Sequence, residues 1–165
     1  MNINGLLHII GGILLCMYPF IIQKNKYDYL YIYLLFFLNI SWIICKGECF
    51  YSYLFKNNKN INYKFGENPE LHDIKDILKN NYIYYFFLIH LLINVTYFMV
   101  VYRNNYPSYL YIFIIFQIIL NLLIYKFKKK LNENKIFINF GYVFLFLIIM
   151  FIILFSNYLY KNKKI

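Results

Sequence analysis

The sequence predicts an all-α integral membrane protein, a polytopic helix bundle of about five transmembrane helices with one short interfacial helix. Of its 165 residues, 62% are hydrophobic and only 15% are charged. All 17 basic and 7 acidic residues lie outside five ion-free stretches. At ~1.5 Å per residue each stretch is ~25–33 Å long as a helix, enough to cross a bilayer core. The predicted spans are 5–22, 29–45, 82–102, 107–125 and 136–157.

The first two spans carry signals at their ends. The span 5–22 lacks a basic segment before it and a small-residue cleavage site after it, so we expect it to be retained as a helix and not removed as a signal peptide. The span 29–45 is expected to continue as a helix to about residue 55, because the helical pattern persists there. Trp42 would mark the membrane boundary, and Gly47 is the expected point of any bend.

The connector 56–81 is long enough to have structure of its own, and it predicts a surface helix near 69–80. Asn68 is a suitable N-cap, Pro69 suits the first helical position, and acidic residues follow at the positive end of the helix dipole. An apolar face would rest on the membrane surface, and the alternative is a solvated helix that docks nowhere. The residues of that face are Leu71, Ile74, Ile77 and Leu78.

The lysines indicate the orientation. With five crossings, eleven of the 17 basic residues lie on the side of the N-terminus and six on the other, which places the N-terminus in the cytoplasm. The ending KNKKI opposes this, because its lysines fit a dilysine retrieval signal that requires a cytosolic tail. The net charge of +10 is expected to face lipid headgroups and not nucleic acid, since the lysines adjoin apolar spans.

Small and polar residues are expected to mark the helix faces that pack inward, because association in lipid relies on close packing and on polar side chains that find partners. The first four spans each have one narrow polar stripe, and the fifth has almost none beyond its first turn. We therefore expect a core of spans one to four, with the fifth at the periphery. The intramembrane polar residues are His8, His90, Asn94, Gln117 and Asn121.

The most distinctive local sequence runs from Trp42 to Ser52. Cys45 and Cys49 would stack one turn apart beside Glu48, a set that could hold a metal, although redox dithiols use C-x-x-C and structural zinc needs four ligands. Glu48 could serve a proton path or pair with a lysine of 126–130. We predict no metal and no cofactor, and interpret five residues as a helix-contact surface: Trp42, Cys45, Glu48, Cys49 and Ser52.

Two further interpretations of the polar residues stay open. His8 and His90 lie in helices expected to run parallel, and two imidazoles from facing helices can hold a haem, although their expected depths differ. Gln117 and Asn121 could line a polar pore or form amide hydrogen bonds between helices.

The segment Trp42-x2-Cys45-Lys-Gly-Glu48-Cys49-x2-Ser52, followed by Asn62-Tyr63-Lys-x-Gly66-Glu-Asn-Pro69, resembles small uncharacterised multi-pass membrane proteins of large DNA viruses and AT-rich protists. The resemblance covers about the first half of the chain and carries no activity with it. It implies that Trp42–Ser52 and the loop that follows form the distinctive surface.

The sequence analysis therefore predicts a non-catalytic structural or assembly component of a membrane or membrane complex. Its partners would be the lipid bilayer and possible further membrane subunits or copies of itself. The first alternative is a small transporter or channel, in which Glu48, Asn94, Gln117 and Asn121 converge on one cavity. The second is a redox or haem-binding membrane protein. Familiar catalytic motifs such as G-x-S-x-G and H-E-x-x-H are absent.

Overall fold

The computed structural model describes residues 3–64, 66–67, 72–127 and 134–162, and all regular structure in these ranges is helical. A single 3₁₀ turn, Lys79–Asn81, joins the fourth helix to the fifth. The prediction of an all-helical bundle is confirmed. The helices are α1 (Ile3–Ile21), α2 (Asp28–Ile44), α3 (Phe50–Lys59), α4 (His72–Leu78), α5 (Tyr82–Arg103), α6 (Leu110–Phe127) and α7 (Lys135–Lys161).

Three helices in the described ranges are long and apolar enough to cross a membrane. They are α1, the segment Asp73–Arg103 that comprises most of α4 and all of α5, and α7. The apolar parts of α2 and α6, Asp28–Ile44 and Leu110–Lys126, are shorter. The chain is therefore a helical bundle in which three helices have the length and composition needed to cross a membrane.

Two glycines let α1 pack closely against α4 and α5. A Cβ atom at Gly5 would overlap the carbonyl oxygen of Asp73 in α4, and one at Gly12 would lie 2.6 Å from the hydroxyl oxygen of Tyr85 in α5. The Tyr85 hydroxyl also donates to the Ile9 carbonyl at 3.1 Å. Only glycine fits at these two positions without a shift, so they fix how α1 lies on its neighbours.

The second helix ends earlier than predicted. Lys46 and Gly47 adopt positive φ (55° and 82°), and the Gly47 N–H donates to the Trp42 carbonyl at 2.7 Å, as in a Schellman turn. A separate helix, α3, then begins at Phe50. The prediction of one helix continuing to about residue 55 is therefore wrong. The backbone leaves the helical path at Gly47, where a bend was expected.

The predicted surface helix over 69–80 corresponds to α4 and the 3₁₀ turn after it, and its expected start at 68–71 lies outside the described residues. Ile74 is almost completely buried, and Ile77 lies against Gly5 of α1. The helix packs on α1 and α3. Its apolar face therefore packs on the bundle. The prediction that this face rests on the membrane surface is wrong, and so is the alternative of a helix that docks nowhere.

Aromatic rings build much of the core, which α2, α5, α6 and α7 share. The Phe36 ring of α2 meets the Phe113 ring of α6 at 4.9 Å between centroids, and Phe144 of α7 meets Phe113 at 5.6 Å. The expectation that the fifth span is peripheral is wrong, because α7 packs on α2 and α6 with rings and aliphatic side chains and needs no polar stripe. Among described residues α1 gives this core one buried side chain, Cys16, whereas α7 gives six: Phe137, Phe144, Ile148, Phe151, Phe155 and Leu159.

At the end of the bundle opposite α3 and α4, a buried carboxylate ties several segments together. Arg103 forms a two-pronged ion pair with Asp28, with Nε 2.8 Å from Oδ2 and Nη2 2.7 Å from Oδ1. Asn104 Nδ2 donates to Oδ2 at 2.6 Å and the Tyr18 hydroxyl to Oδ1 at 2.9 Å. Arg103 Nη1 also donates to the Ile22 carbonyl at 2.8 Å. Charge-assisted, two-pronged bonds of this kind fix the ends of α1, α2 and α5 relative to one another.

Candidate active site

Cys49 lies in the connector between α2 and α3, at the N-cap position of α3. Its backbone is extended, with φ −68° and ψ 130°, and its side chain is partly exposed. The first N–H groups of a helix have no partners within the helix and carry partial positive charge. A sulfur at this position is therefore placed where a thiolate is stabilised.

Three side chains from three segments form a hydrogen-bonded chain that begins at this sulfur. Cys49 Sγ lies 3.4 Å from His8 Nε2, and His8 Nδ1 lies 2.7 Å from Asp73 Oδ2. The Ser52 hydroxyl donates to the other carboxylate oxygen, Asp73 Oδ1, at 2.5 Å. His8 belongs to α1 and Asp73 to α4. We call Cys49, His8 and Asp73 the thiol triad.

The carboxylate of the triad is buried, whereas Cys49 and His8 are partly exposed. The Asp73 side chain is 0% exposed and that of His8 is 20% exposed, whereas Ser52 is fully buried. A buried carboxylate is costly unless it is hydrogen-bonded and paired. The imidazole and the hydroxyl supply these partners, so they fix Asp73, and Asp73 in turn fixes the orientation of the His8 ring.

The surroundings of Cys49 favour its thiolate form. Burial on its own would raise the pKa of Cys49, but the hydrogen bond from His8 and the positive charge of that imidazole lower it. The backbone N–H groups of Tyr51 and Ser52, at the start of α3, act in the same direction. The pKa of Cys49 therefore lies below the ordinary value of a cysteine.

The order of the triad is that of a nucleophile, a base and a group that orients the base. His8 stands between the thiol and the carboxylate, and each of its ring nitrogens faces one partner. This arrangement activates nucleophilic cysteines on unrelated folds. It does not bring ligands together on one point, and within the described residues no group of three His, Cys, Asp or Glu side chains is placed to hold a metal ion.

The next residue in the chain, Glu48, is fully buried in a separate set of contacts. Its Oε1 accepts from Lys56 Nζ at 2.5 Å and from the Tyr63 hydroxyl at 3.0 Å. Its Oε2 accepts from the Gly66 N–H at 3.1 Å. The lysine partner in the described residues thus comes from α3, and of the predicted range 126–130 the residues 128–130 lie outside the described part of the chain. These contacts connect the loop after α3 to the residue that precedes Cys49, the N-cap of α3.

The remaining members of the predicted contact surface lie largely inside the chain. Cys45 is 3% exposed, at the C-cap of α2. The Trp42 ring packs on His90 of α5 with 4.6 Å between centroids and is partly buried. With Glu48 and Ser52 also buried, Cys49 is the member that combines chemical reactivity with access.

Four of the predicted intramembrane polar residues form a second group with Asn39 inside the bundle, whereas His8 belongs to the thiol triad and Glu48 to the contacts described above. The four are His90, Asn94, Gln117 and Asn121. The Phe87 and Tyr125 rings lie 4.7 Å apart and the Tyr97 and Phe113 rings 5.0 Å apart, which sets the register of α5 against α6. This register places Asn94 at the level of Gln117 and His90 at the level of Asn121. The Phe36 ring of α2 contacts the Phe113 ring of α6. Asn39 lies about one turn beyond Phe36 and Gln117 about one turn beyond Phe113, so Asn39 is also near the level of Gln117.

Each member of that group has a buried polar atom without a hydrogen-bond partner in the described part of the chain. Asn39 and Asn94 donate their side-chain N–H to carbonyls of their own helices, and His90 Nδ1 faces the Phe86 carbonyl. His8 and His90 therefore face different partners and do not face each other. The atoms without partners are Asn39 Oδ1, His90 Nε2, Asn94 Oδ1, Gln117 Oε1 and Asn121 Oδ1.

The sequence analysis missed Asp73 as a functional residue, because it interpreted this side chain as a favourable charge at a helix start. The sequence feature that could have identified it is the set of residues around Asp73 and His8. Asp73 directly precedes the buried Ile74, and Gly5 lies three residues before His8 on α1, so the close approach of the two helices brings carboxylate and imidazole together.

Comparisons of the chain with known protein families, with curated proteins and with solved structures find no match.

Proposed function

We propose that the chain spans the membrane five times, with its N-terminus and the thiol triad on the cytoplasmic side. At ~1.5 Å per residue, the 17 residues of α2 reach ~26 Å, which is within the range of transmembrane helices. Both α2 and α6 pack against the longer apolar helices of the bundle. The excess of lysines at the end that carries α3 and α4 supports the orientation.

We further propose that the protein is a cysteine-dependent acyl-transfer enzyme, acting on an ester or thioester at the membrane surface. The observation that carries this proposal is the hydrogen-bonded chain from Cys49 through His8 to Asp73. The Cys49 thiolate would attack the carbonyl carbon, and the His8 imidazolium would give its proton to the leaving group. Asp73 would hold the ring and stabilise its charge, as in other Cys-His pairs.

The test is hydrolysis of a short activated ester, p-nitrophenyl acetate, by the purified full-length protein in detergent. We expect Cys49→Ser to lose activity and Cys45→Ser to retain it, while His8→Ala slows the reaction by about 10²–10⁴-fold. Intact-mass measurement should detect an acetyl group that resides on Cys49. Equal activity in the Cys49→Ser and Cys45→Ser proteins would refute the proposal.

The structural or assembly role predicted from the sequence would require the surface around Trp42–Ser52 to meet another chain. The burial of Cys45, Glu48 and Ser52 within this chain favours the catalytic proposal over that role.

A second candidate function is proton or water conduction through the bundle, favoured by the polar atoms without partners. Four amide oxygens and one imidazole nitrogen at neighbouring levels could support a chain of water molecules. In proteoliposomes that contain a pH-sensitive dye, wild type should dissipate a pH gradient faster than empty vesicles, and Gln117→Leu should return the rate to that of empty vesicles. Identical rates for Gln117→Leu and wild type would exclude this function.

A further inference from the structure

An open apolar groove runs between α1 and α2 and has a cavity volume of about 730 Å³. Its walls are almost entirely hydrocarbon and aromatic side chains. The Tyr18 and Tyr31 rings stack in it with 4.7 Å between centroids. The residues that carry the argument are Gly11, Leu15, Tyr18 and Ile22 on the α1 side and Leu30 and Leu34 on α2.

The groove lies in helical register with the base of the thiol triad. Gly11, Leu15, Tyr18 and Ile22 follow His8 at spacings of 3, 7, 10 and 14 residues, which places them on the same face of α1. The groove therefore approaches His8 to within one helical turn. From Gly11 to Ile22 it extends ~16 Å along the helix.

Gly11 keeps the groove open. A Cβ atom at Gly5 or Gly12 would meet a neighbouring helix, whereas one at Gly11 would meet nothing within 4 Å. The glycine at position 11 is therefore not required for close packing against another helix of this chain. Its effect is an unfilled space one helical turn from His8.

We propose that the substrate of the thiol triad is an acyl ester of an anionic bilayer phospholipid whose acyl chain lies in this groove. The inference rests on the proposed acyl-transfer function. An apolar groove that opens on a membrane-crossing face meets lipid chains, and Leu30 and Leu34 are about half exposed there. The lysine-rich connectors at the end of the bundle that carries the thiol triad attract anionic headgroups. Phospholipid ester carbonyls lie at the boundary of the hydrocarbon core, the level at which Cys49 follows the end of α2.

The proposed step balances without an added co-reactant other than water. The Cys49 thiolate attacks the ester carbonyl, a C–S bond forms and the C–O bond to glycerol breaks, and the glycerol oxygen takes the proton of His8. A lysophospholipid leaves and a thioester remains on Cys49. Water then attacks the thioester, His8 takes its proton, and a fatty acid and the thiolate result.

The test compares alkylation of Cys49 by N-methylmaleimide and by N-dodecylmaleimide in the full-length protein in phosphatidylcholine nanodiscs. Cys16 and Cys45 are replaced by Ser in every variant, so that Cys49 is the only thiol. The ratio of the dodecyl rate to the methyl rate reports use of the groove. Gly11→Phe fills the groove, and Ile13→Phe is the matched control, because Ile13 is exposed on α1 outside the groove.

We expect Gly11→Phe to lower the ratio by at least about tenfold, since several methylene groups lose their apolar contacts, and Ile13→Phe to leave it unchanged. An unchanged ratio in Gly11→Phe would overturn the groove proposal. The N-methylmaleimide rate alone tests the triad, because it should fall in His8→Ala and stay constant in Ile13→Phe. A methyl rate that is the same in His8→Ala would instead overturn the proposed function.

A second measurement identifies the donor. After incubation with phosphatidylglycerol vesicles, intact-mass analysis should find a fatty acyl group on Cys49 in wild type and not in Gly11→Phe. Acylation by a long-chain acyl-coenzyme A but not by phosphatidylglycerol would overturn the phospholipid as substrate.

Discussion

Gly5 of α1 lies directly against the backbone carbonyl of Asp73 in α4, and this contact brings the Asp73 carboxylate to 2.7 Å from His8, one turn further along α1. The helix contact and the thiol triad are therefore one structural unit. A side chain at position 5 would disturb both.

We expect Gly5→Ala to lower the free energy of unfolding by about 1–3 kcal/mol, because the added methyl group forces α1 away from α4. It should also slow alkylation of Cys49, since the His8 to Asp73 bond lengthens. Thermal unfolding in detergent and iodoacetamide kinetics measure the two effects. Gly11→Ala is the control. Its Cβ meets nothing, so helix propensity should raise the stability by about 0.5–1 kcal/mol. A Gly5→Ala protein as stable as Gly11→Ala would contradict this account.

The reactivity of Cys49 should depend on pH through His8. Because the imidazole lowers the pKa of Cys49 against the opposing effect of burial, wild type should reach its half-maximal alkylation rate below the pH typical of a free thiol. His8→Ala removes the charge and the hydrogen bond and leaves burial, so its midpoint should move to higher pH. Asp73→Asn should move it in the same direction. A midpoint that does not change in His8→Ala would show that the contact has no electrostatic effect.

Lys56→Met should destabilise the protein by about 3–5 kcal/mol, because it leaves the buried Glu48 carboxylate without its cation. The double variant Glu48→Gln/Lys56→Met should recover much of this loss. Lys59→Met is the matched control on the same helix. Its partner Asp76 is 3.9 Å away, and both side chains are at least half exposed, so its effect should lie within about 1 kcal/mol. Unfolding curves in detergent measure all three, and equal losses for the two lysines would contradict the prediction.

Arg103 should tolerate neither of its usual replacements. Lysine keeps the charge but cannot form the two-pronged pair with Asp28, so Arg103→Lys should cost about 1.5–3 kcal/mol, the worth of a hydrogen bond to a charged group. Arg103→Ala leaves a buried charge and should cost about 3–5 kcal/mol. The exposed Lys24, in the same connector as Ile22, is the control, and Lys24→Ala should not shift the unfolding temperature. A stable Arg103→Lys protein would mean that charge alone suffices at this site.

The helices were accessible to sequence reasoning, because a stretch without charges that is long enough to cross a bilayer has few alternatives to a helix. The end of α2 before Gly47 was harder to predict from the sequence. The pattern of apolar residues continues past it, and only the left-handed backbone of Lys46 and Gly47 ends the helix.

Contacts between helices could not be derived from periodicity within one helix. Polar stripes predicted a core without α7, yet Phe144 and Phe155 bury completely against rings of other helices. The thiol triad was not predicted for the same reason. His8 lies 41 positions from Cys49 and 65 from Asp73, and the sequence analysis paired Cys49 with Cys45 and His8 with His90.

The order of the triad along the chain bears on biosynthesis. His8, Cys49 and Asp73 all precede α5 in the sequence, and α1 packs on α4 and α5. When Arg103 has left the ribosome, the growing polypeptide thus already contains all three residues of the thiol triad and the helix α5, on which α1 packs. The helices α6 and α7 are synthesised afterwards and contribute no residue to the triad.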